Sequence, residues 1–420
     1  LTLRKTLDMD EAAHLSGYDR QRVCVPRVCD CNQENCRYRA FLEACASSDY
    51  LFQICNHNLL LADAIHRGTS RKPILPDDSA IIIDEAHKLP EAARQMFGTT
   101  LRAEDIQDLI RDLRREKYLL AADALADTSK PLLRRMGPPY NPDRPFSEYA
   151  RLLVGPNRAL TVVQKQIDHL LSAPVRKRLK QLASTIKLFS EGNAEMVFYT
   201  TEAPHGGAIL CATVSDLTAQ LQSVLWTQPR PIILTSGTLA VGSDFRRFRE
   251  EAGLLTDSRV TESVSPSPFD YKGNCLLYMP QLPPSQEDHI YYDKLAGEIA
   301  QLLEAACGHA LALFTSYAAM SAVKERLAEK DLLWPLFTLG RNAVHTMEQF
   351  KDQPGSVLLA TGAAWEGFDF PGDCVSLLVI PRLPFARPDA LKEKVRESFP
   401  DLHSFIRAVV VPEMQIKLKQ

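Results

Sequence analysis

Two adjacent carboxylates, Asp84 and Glu85, follow the apolar run Ile81-Ile82-Ile83 and precede Ala86 and His87. A hard divalent cation such as Mg²⁺ takes oxygen ligands, and hydrolysis of a γ-phosphate needs a second group to orient or polarise the attacking water. Neighbouring acidic residues at one strand end can divide these tasks. Asp84 and Glu85 are the candidates for these two tasks, and His87 stands beside them. A bare Asp-Glu pair is more often an ordinary acidic strand end; Ala86-His87 behind it reverses that balance.

A second chemistry is written in cysteine. Six of the ten cysteines lie between positions 24 and 55, and Cys24, Cys29, Cys31 and Cys36 crowd into thirteen residues. With no secretory leader expected ahead of them, they point to a metal or iron–sulfur site instead of disulfides. The paired C-x₂-C knuckles of structural zinc are absent, so zinc is possible without being indicated. Cys211, Cys275, Cys307 and Cys374 are expected to be core thiols, and Cys45 and Cys55 the same. His57, a lone histidine, is expected to be structural.

These residues need elements to hold them. The isoleucine run predicts a strand buried on both faces, and ligands gather at the carboxyl ends of such strands in parallel sheets. Pro231 to Leu239 predicts a second buried strand, ending in Thr235-Ser236-Gly237-Thr238, which resembles a phosphate-sensing loop. Tyr38, Phe41, Leu42 and Cys45 have helical spacing, Tyr50 to Cys55 reads as a strand, and Pro90 suits a first helical turn. From 100 to 190 the 3.6-residue period dominates, with the five prolines between Pro131 and Pro145 expected to break the helices. Two strands, Met196 to Thr200 and Ala208 to Val214, close the excursion, and Ser215-Asp216 caps a helix through Leu225. Beyond 241, helices and strands alternate, predicting a second parallel sheet. Its strands at Val357 to Ala360 and Val375 to Ile380 flank the loop Thr361 to Gly372, where Trp365, Glu366, Gly367 and Asp369 are poor loop filler and good site material.

A length of 420 residues calls for two or three domains. No apolar stretch is long enough to span a bilayer, and a cytoplasmic, bacterial location with no membrane partner is expected. The net charge is only −3, yet residues 101 to 190 hold 17 Lys and Arg against 10 Asp and Glu, leaving the remainder at −10. That segment is a candidate nucleic-acid surface or a solvated helical face.

Taken in order, Asp84-Glu85-Ala86-His87, Thr235-Ser236-Gly237-Thr238-Leu239, Leu313-Phe314-Thr315-Ser316-Tyr317 and Trp365-Glu366-Gly367-Phe368-Asp369 resemble the superfamily 2 helicases. The cysteine cluster, Asn56-His57-x-Leu-Leu and the insertion after the DEAH box are similar to the iron–sulfur helicases of the DinG branch, bacterial relatives of XPD. The resemblance implies an α/β fold of two RecA-like parallel-sheet domains, the first carrying an iron–sulfur insertion and a helical arch insertion. It places a partial cluster insertion at 1–60, domain 1 at 61–99 and 215–240, an arch at 100–214 and domain 2 at 241–420. It further implies ATP, Mg²⁺ and a [4Fe–4S] cluster, with ATP-driven 5′→3′ unwinding in repair or replication and single-stranded DNA and DNA junctions as partners. Asp84 would bind Mg²⁺ through water, Glu85 would position the hydrolytic water, and His87 would link the site to the domain interface. Ser236 and Thr238 would couple hydrolysis to movement, and Glu366, Gly367 and Asp369 would face nucleotide and DNA. Gln420 matches the glutamine that opens the last helicase motif. The cluster ligands stay open: Cys24 and Cys36 with either Cys29 or Cys31 plus a fourth ligand upstream, or all four.

The family's G-x-x-x-x-G-K-[ST] phosphate loop is not in this chain, which starts at Leu1 and stops at Gln420. A fragment of a longer protein is expected, hydrolysing little ATP by itself. A rival expectation is a non-catalytic nucleic-acid-binding protein with zinc or iron–sulfur in the cysteine site.

Overall fold

The computed structural model describes residues 36–47, 49–69, 71–204, 206–282, 289–339, 343–386 and 388–419. The chain divides into two compact units: residues 1–236, 246–260 and 390–394 belong to the first, and 237–245, 261–389 and 395–420 to the second.

The first unit opens on α1 (Arg37–Cys45) and α2 (His57–Gly68), the latter started by Asn56, whose Oδ1 accepts from the Leu59 N–H at 2.9 Å. Between them, Tyr50 to Cys55 forms no strand, contrary to expectation. β propensity alone does not make a strand without a partner, and Leu51, Phe52 and Ile54 stand in the open. After α2 come β1 (Ile81–Ile83) and α3 (Leu89–Phe97), with Pro90 in the first turn. β1 pairs in parallel with a strand from far along the chain, Ile232–Leu234, matching Ile81, Ile82 and Ile83 with Ile232, Ile233 and Leu234. The expected burial on both faces is corrected: Ile81 and Ile83 are buried, but Ile82 is 66% exposed and its partner Ile233 51%. Successive strand residues point to opposite faces, so one face of this two-stranded sheet meets the core and the other does not.

Between these two strands runs the long excursion. β2 (Thr99–Leu101) leads into α4 (Ala103–Arg115), α5 (Leu119–Met136), α6 (Phe146–Ile167) and α7 (Ala173–Glu191), which return through β3 (Met196–Glu202) and β4 (Ala208–Val214). The three strands form an antiparallel sheet in the order β2-β4-β3. Ile106, Leu109 and Leu113 of α4, Leu125 and Leu132 of α5, Leu153 and Leu160 of α6 and Leu179 and Ile186 of α7 share one core with Leu101 and Leu210 of the strands. Their 3.6-residue spacing makes each helix bury one stripe against the others. Pro131 does not break α5 as expected but lies inside it; the break comes at Gly137. Ser215 is no cap either: its hydroxyl donates to the Glu195 carbonyl, while Asp216 accepts from Thr218. The strand Ile232–Leu234 follows as β5.

The second unit carries the four-stranded parallel sheet. In chain order its elements are α8 (His289–Ala305), β6 (Ala310–Phe314), α9 (Tyr317–Ala328), β7 (Leu336–Thr338), α10 (Ala343–Asp352), β8 (Val357–Thr361) and β9 (Leu377–Val379). The spatial order is β7-β8-β6-β9. Alternation sorts the core: Ala310, Ala312, Phe314, Val357 and Leu359 pack with Ile299 of α8 and Val323 and Leu327 of α9, whereas Leu311, Leu313, Leu358 and Ala360 pack with Met347 and Phe350 of α10. Helices therefore cover both faces, as a central parallel sheet requires. Where the chain enters β6, Gly308 has φ of +78°, and a Cβ there would lie 2.8 Å from the Trp334 ring and nearer still to the Gly355 carbonyl oxygen.

The cysteine expectation holds for Cys211, which is buried, but Cys45, Cys275 and Cys307 are exposed and Cys55 and Cys374 only half-buried. Apolar sequence neighbours do not say which way a side chain turns.

Candidate functional site

The site of the first unit sits at the carboxyl ends of β1 and β5. Parallel pairing brings Asp84-Glu85 beside Thr235-Ser236 because Ile83 is registered against Leu234. The Thr235 hydroxyl donates to Asp84 Oδ1 at 2.8 Å. This bond, followed by the N–H of Glu85, holds the Asp84 carboxyl below its ordinary range. Asp84 thus stays an ionised oxygen donor at the protein surface, the type of group a hydrated Mg²⁺ takes.

Glu85, His87 and Ser236 form a cluster. His87 Nδ1 lies 2.8 Å from Ser236 Oγ and 3.2 Å from Glu85 Oε2, and Ser236 Oγ donates to Glu85 Oε2 at 3.2 Å. An ionised carboxylate only accepts, so the arrangement that satisfies every group has Nδ1–H donating to the serine oxygen and the serine proton turned to Glu85. His87 is mostly covered, 15% exposed, while Glu85 is 58% exposed and turned to solvent, where a water or ligand can reach it.

Two residues join the site that the sequence pattern does not assign to it. Thr235 is visible there only as one hydroxyl in a run of small residues; its role follows from the β1–β5 register. His57, expected to be structural, reaches 27 positions along the chain to place Nε2 2.9 Å from the backbone carbonyl oxygen of Asp84. Its place directly behind Cys55 and Asn56, at the start of α2, is the available signal.

Thr238 is buried and belongs to the second unit, since the division falls after Ser236. Glu366, Gly367 and Asp369 lie in that unit too, in the loop following β8. The loop is anchored by two donors on one acceptor: Thr361 Oγ1 and Trp365 Nε1 bond the Phe314 carbonyl at 2.8 and 3.0 Å, at the end of β6. Gly362, Gly367 and Gly372 turn it with φ of +66°, +79° and +65°. Asp369 is left exposed and Glu366 half-buried.

Cys24, Cys29, Cys31 and Gln420 lie outside the described residues. Cys36, half-buried, is the only cysteine of the tight cluster among them, and the described residues hold no group of three or more His, Cys, Asp or Glu side chains arranged for a metal ion. No described helix is long and apolar enough to cross a membrane. On the helical excursion, several basic side chains are engaged in ion pairs. Arg115 and Arg178 pair with Asp112, Arg114 with Asp123, Lys180 with Asp168 and Arg111 with Asp108.

Residues 299–420 match the family model described as a helicase C-terminal domain. Along 93% of its length the chain is 29% identical to the ATP-dependent DNA helicase YoaA of Haemophilus influenzae, covering 64% of that protein. It is 27% identical to the YoaA of Escherichia coli, covering 60% of it, and 32% identical to the helicase DinG of Mycobacterium tuberculosis over 47% of this chain and 30% of that protein. The chain therefore spans a little under two thirds of the YoaA relatives it matches. Among solved structures, the S. tokodaii Xpd4 shares the fold, with a TM-score of 0.55 at 18% identity over 87% of this chain and 72% of that one. The parallel sheets and their strand-end motifs define the class, an α/β protein of the RecA-like helicase fold. Within that class the chain is similar to the YoaA and DinG helicases, and its residues 299–420 match a helicase C-terminal domain.

Proposed function

We propose that the protein carrying this chain is an ATP-dependent DNA helicase of the DinG type, unwinding DNA 5′→3′ in repair or replication in the bacterial cytoplasm. One observation carries the reading. The carboxylates Asp84 and Glu85 end one parallel strand and are hydrogen-bonded to the hydroxyls of Thr235 and Ser236, which end its neighbour. An acidic pair wired to the next strand's end can respond to a phosphate and pass the response along that strand.

Bound Mg²⁺ and ATP would supply the electrophilic phosphorus and neutralise its developing charge. Asp84, kept ionised by Thr235, would hold a water of the metal's shell. Glu85 would orient the attacking water and accept its proton, with Ser236 and His87 fixing the carboxylate's direction. Thr238 would carry the change toward the second unit, where Glu366, Gly367 and Asp369 would meet nucleotide and DNA. The helical excursion at 100–214 would act as the arch and guide single-stranded DNA at junctions. The tight cysteine group Cys24, Cys29, Cys31 and Cys36 would hold the [4Fe–4S] cluster.

The test is Glu85→Gln in the complete product of the gene. DNA-stimulated ATP hydrolysis should fall by about 10² or more, the range for losing a general base, while ATP binding persists. Undiminished hydrolysis in the variant, or none in the unsubstituted protein, would overturn the reading.

A further inference from the structure

Glu85 adopts the left-handed conformation, φ 47° and ψ 44°, which residues with a Cβ rarely take. Its backbone direction is set by two peptide planes, one on each side of its Cα, and a bond from elsewhere in the fold reaches each plane. On the near side, the Asp84 carbonyl is bound by His57 Nε2 at 2.9 Å. On the far side, the Ala86 N–H donates to the Thr235 carbonyl at 2.9 Å. The first bond resists rotation about φ and the second about ψ. A carbonyl can only accept, so His57 carries its proton on Nε2. With both planes pinned, the Glu85 Cα–Cβ bond has one direction, and Ser236 and His87 meet a carboxylate already aimed at them.

We propose that His57 is a positioning residue for Glu85: by holding the Asp84 carbonyl it keeps Glu85 left-handed and its carboxylate directed at the reacting water. This inference rests on the helicase reading for its functional half only. Its structural half, that His57 fixes the backbone around Glu85, stands on geometry alone. Because His57 begins α2 two residues after Cys55, the device also ties the segment carrying Cys45 and Cys55 to the direction of the catalytic carboxylate.

The test compares His57→Gln, whose amide N–H can take the place of Nε2–H, with His57→Met, similar in size and without a donor, in the complete gene product. His57→Met should lower kcat for ATP by about 10²-fold, the scale of an ångström-sized misplacement, with KM changed less than twofold. His57→Gln should restore most of it. Hydrogen exchange, which needs no turnover, should show the Ala86 amide at least about tenfold faster in His57→Met and near the parent rate in His57→Gln, a change of about 1.4 kcal/mol in local opening. Equal kcat in His57→Met and the parent overturns the proposal, as does an equal loss in both variants. Absence of Glu85-dependent hydrolysis in the parent would instead overturn the helicase reading and leave the exchange result to judge the backbone role.

Discussion

Asp63 is the most exacting place to test how the strand carrying the carboxylates is held. Its side chain, 1% exposed, lies inside α2 and accepts hydrogen bonds on both oxygens. Oδ1 takes the N–H groups of Ile74 and Leu75 at 2.7 and 2.9 Å, and Oδ2 takes Arg67 Nε at 2.7 Å. Arg67, 15% exposed on its side chain, then bonds the carbonyls of Leu75 and Pro76 and the carboxylate of Asp77. The buckle fastens α2 to the segment that feeds β1. Asp63→Ala strands two backbone donors and a mostly covered guanidinium, and breaking a buried ion pair in this way costs about 3–5 kcal/mol. Asp63→Asn keeps an acceptor for the N–H groups but turns a donor toward Arg67, and should cost about 1.5–3 kcal/mol, the worth of a charged hydrogen bond. Hydrogen exchange at Ile74 and Leu75 reads the loss directly. At about 1.4 kcal/mol per tenfold, the alanine variant should accelerate both amides by about 10² or more, and the asparagine variant by about ten- to a hundredfold. Acceleration of less than threefold in Asp63→Ala would refute the argument that these bonds hold the segment.

Three other outcomes follow from single contacts. Gly308→Ala adds a Cβ that runs into the Gly355 backbone at φ +78°; strain of about 1–2 kcal/mol and overpacking of about 1–3 kcal/mol should lower the urea midpoint of the second unit, and an unchanged midpoint would contradict the close approach. Thr235→Val removes the largest influence on Asp84, so a carboxyl NMR titration should show its pKa moving up toward the ordinary value of 3.8; no upward movement would show that the hydroxyl is not its partner. Asp257 is held down to about 2 from 3.8 by the side chain and then the N–H of Arg259. A lowered carboxyl pKa stabilises above its unfolded value and loses that contribution as pH falls through the folded one. The stability deficit of Asp257→Asn should therefore be constant from pH 7 to about 4 and shrink between 4 and 2, and a deficit that grows on acidification would reverse the assignment.

How much the sequence discloses depends on the range of the interaction. The DEAH stretch, the hydroxyls at 235–238 and the alternation beyond 241 are legible because residue type and local period carry them. The pairing of β1 with β5 is not, and with it goes the role of Thr235, 151 residues from the carboxylate it bonds. His57 reads as structural because a lone histidine carries no local sign of a partner 27 residues away. Tyr50 to Cys55 shows the converse: the composition suits a strand, but no neighbour in the described residues offers it a ladder. Pro131 shows how packing overrides propensity, since α5 continues through it while burying Leu125 and Leu132.

The left-handed backbone at Glu85 bears on any attempt to improve this protein by selection. A residue with a Cβ gives up about 1–2 kcal/mol in that conformation, and glycine gives up almost nothing. A library sorted for heat resistance alone would accordingly be drawn to glycine at position 85 and would enrich the very sequences that lack the carboxylate. Sorting for turnover would hold the glutamate and instead reward changes that tighten its surroundings. Opposite preferences at one codon in the two screens would mark position 85 as kept for chemistry at the expense of folding.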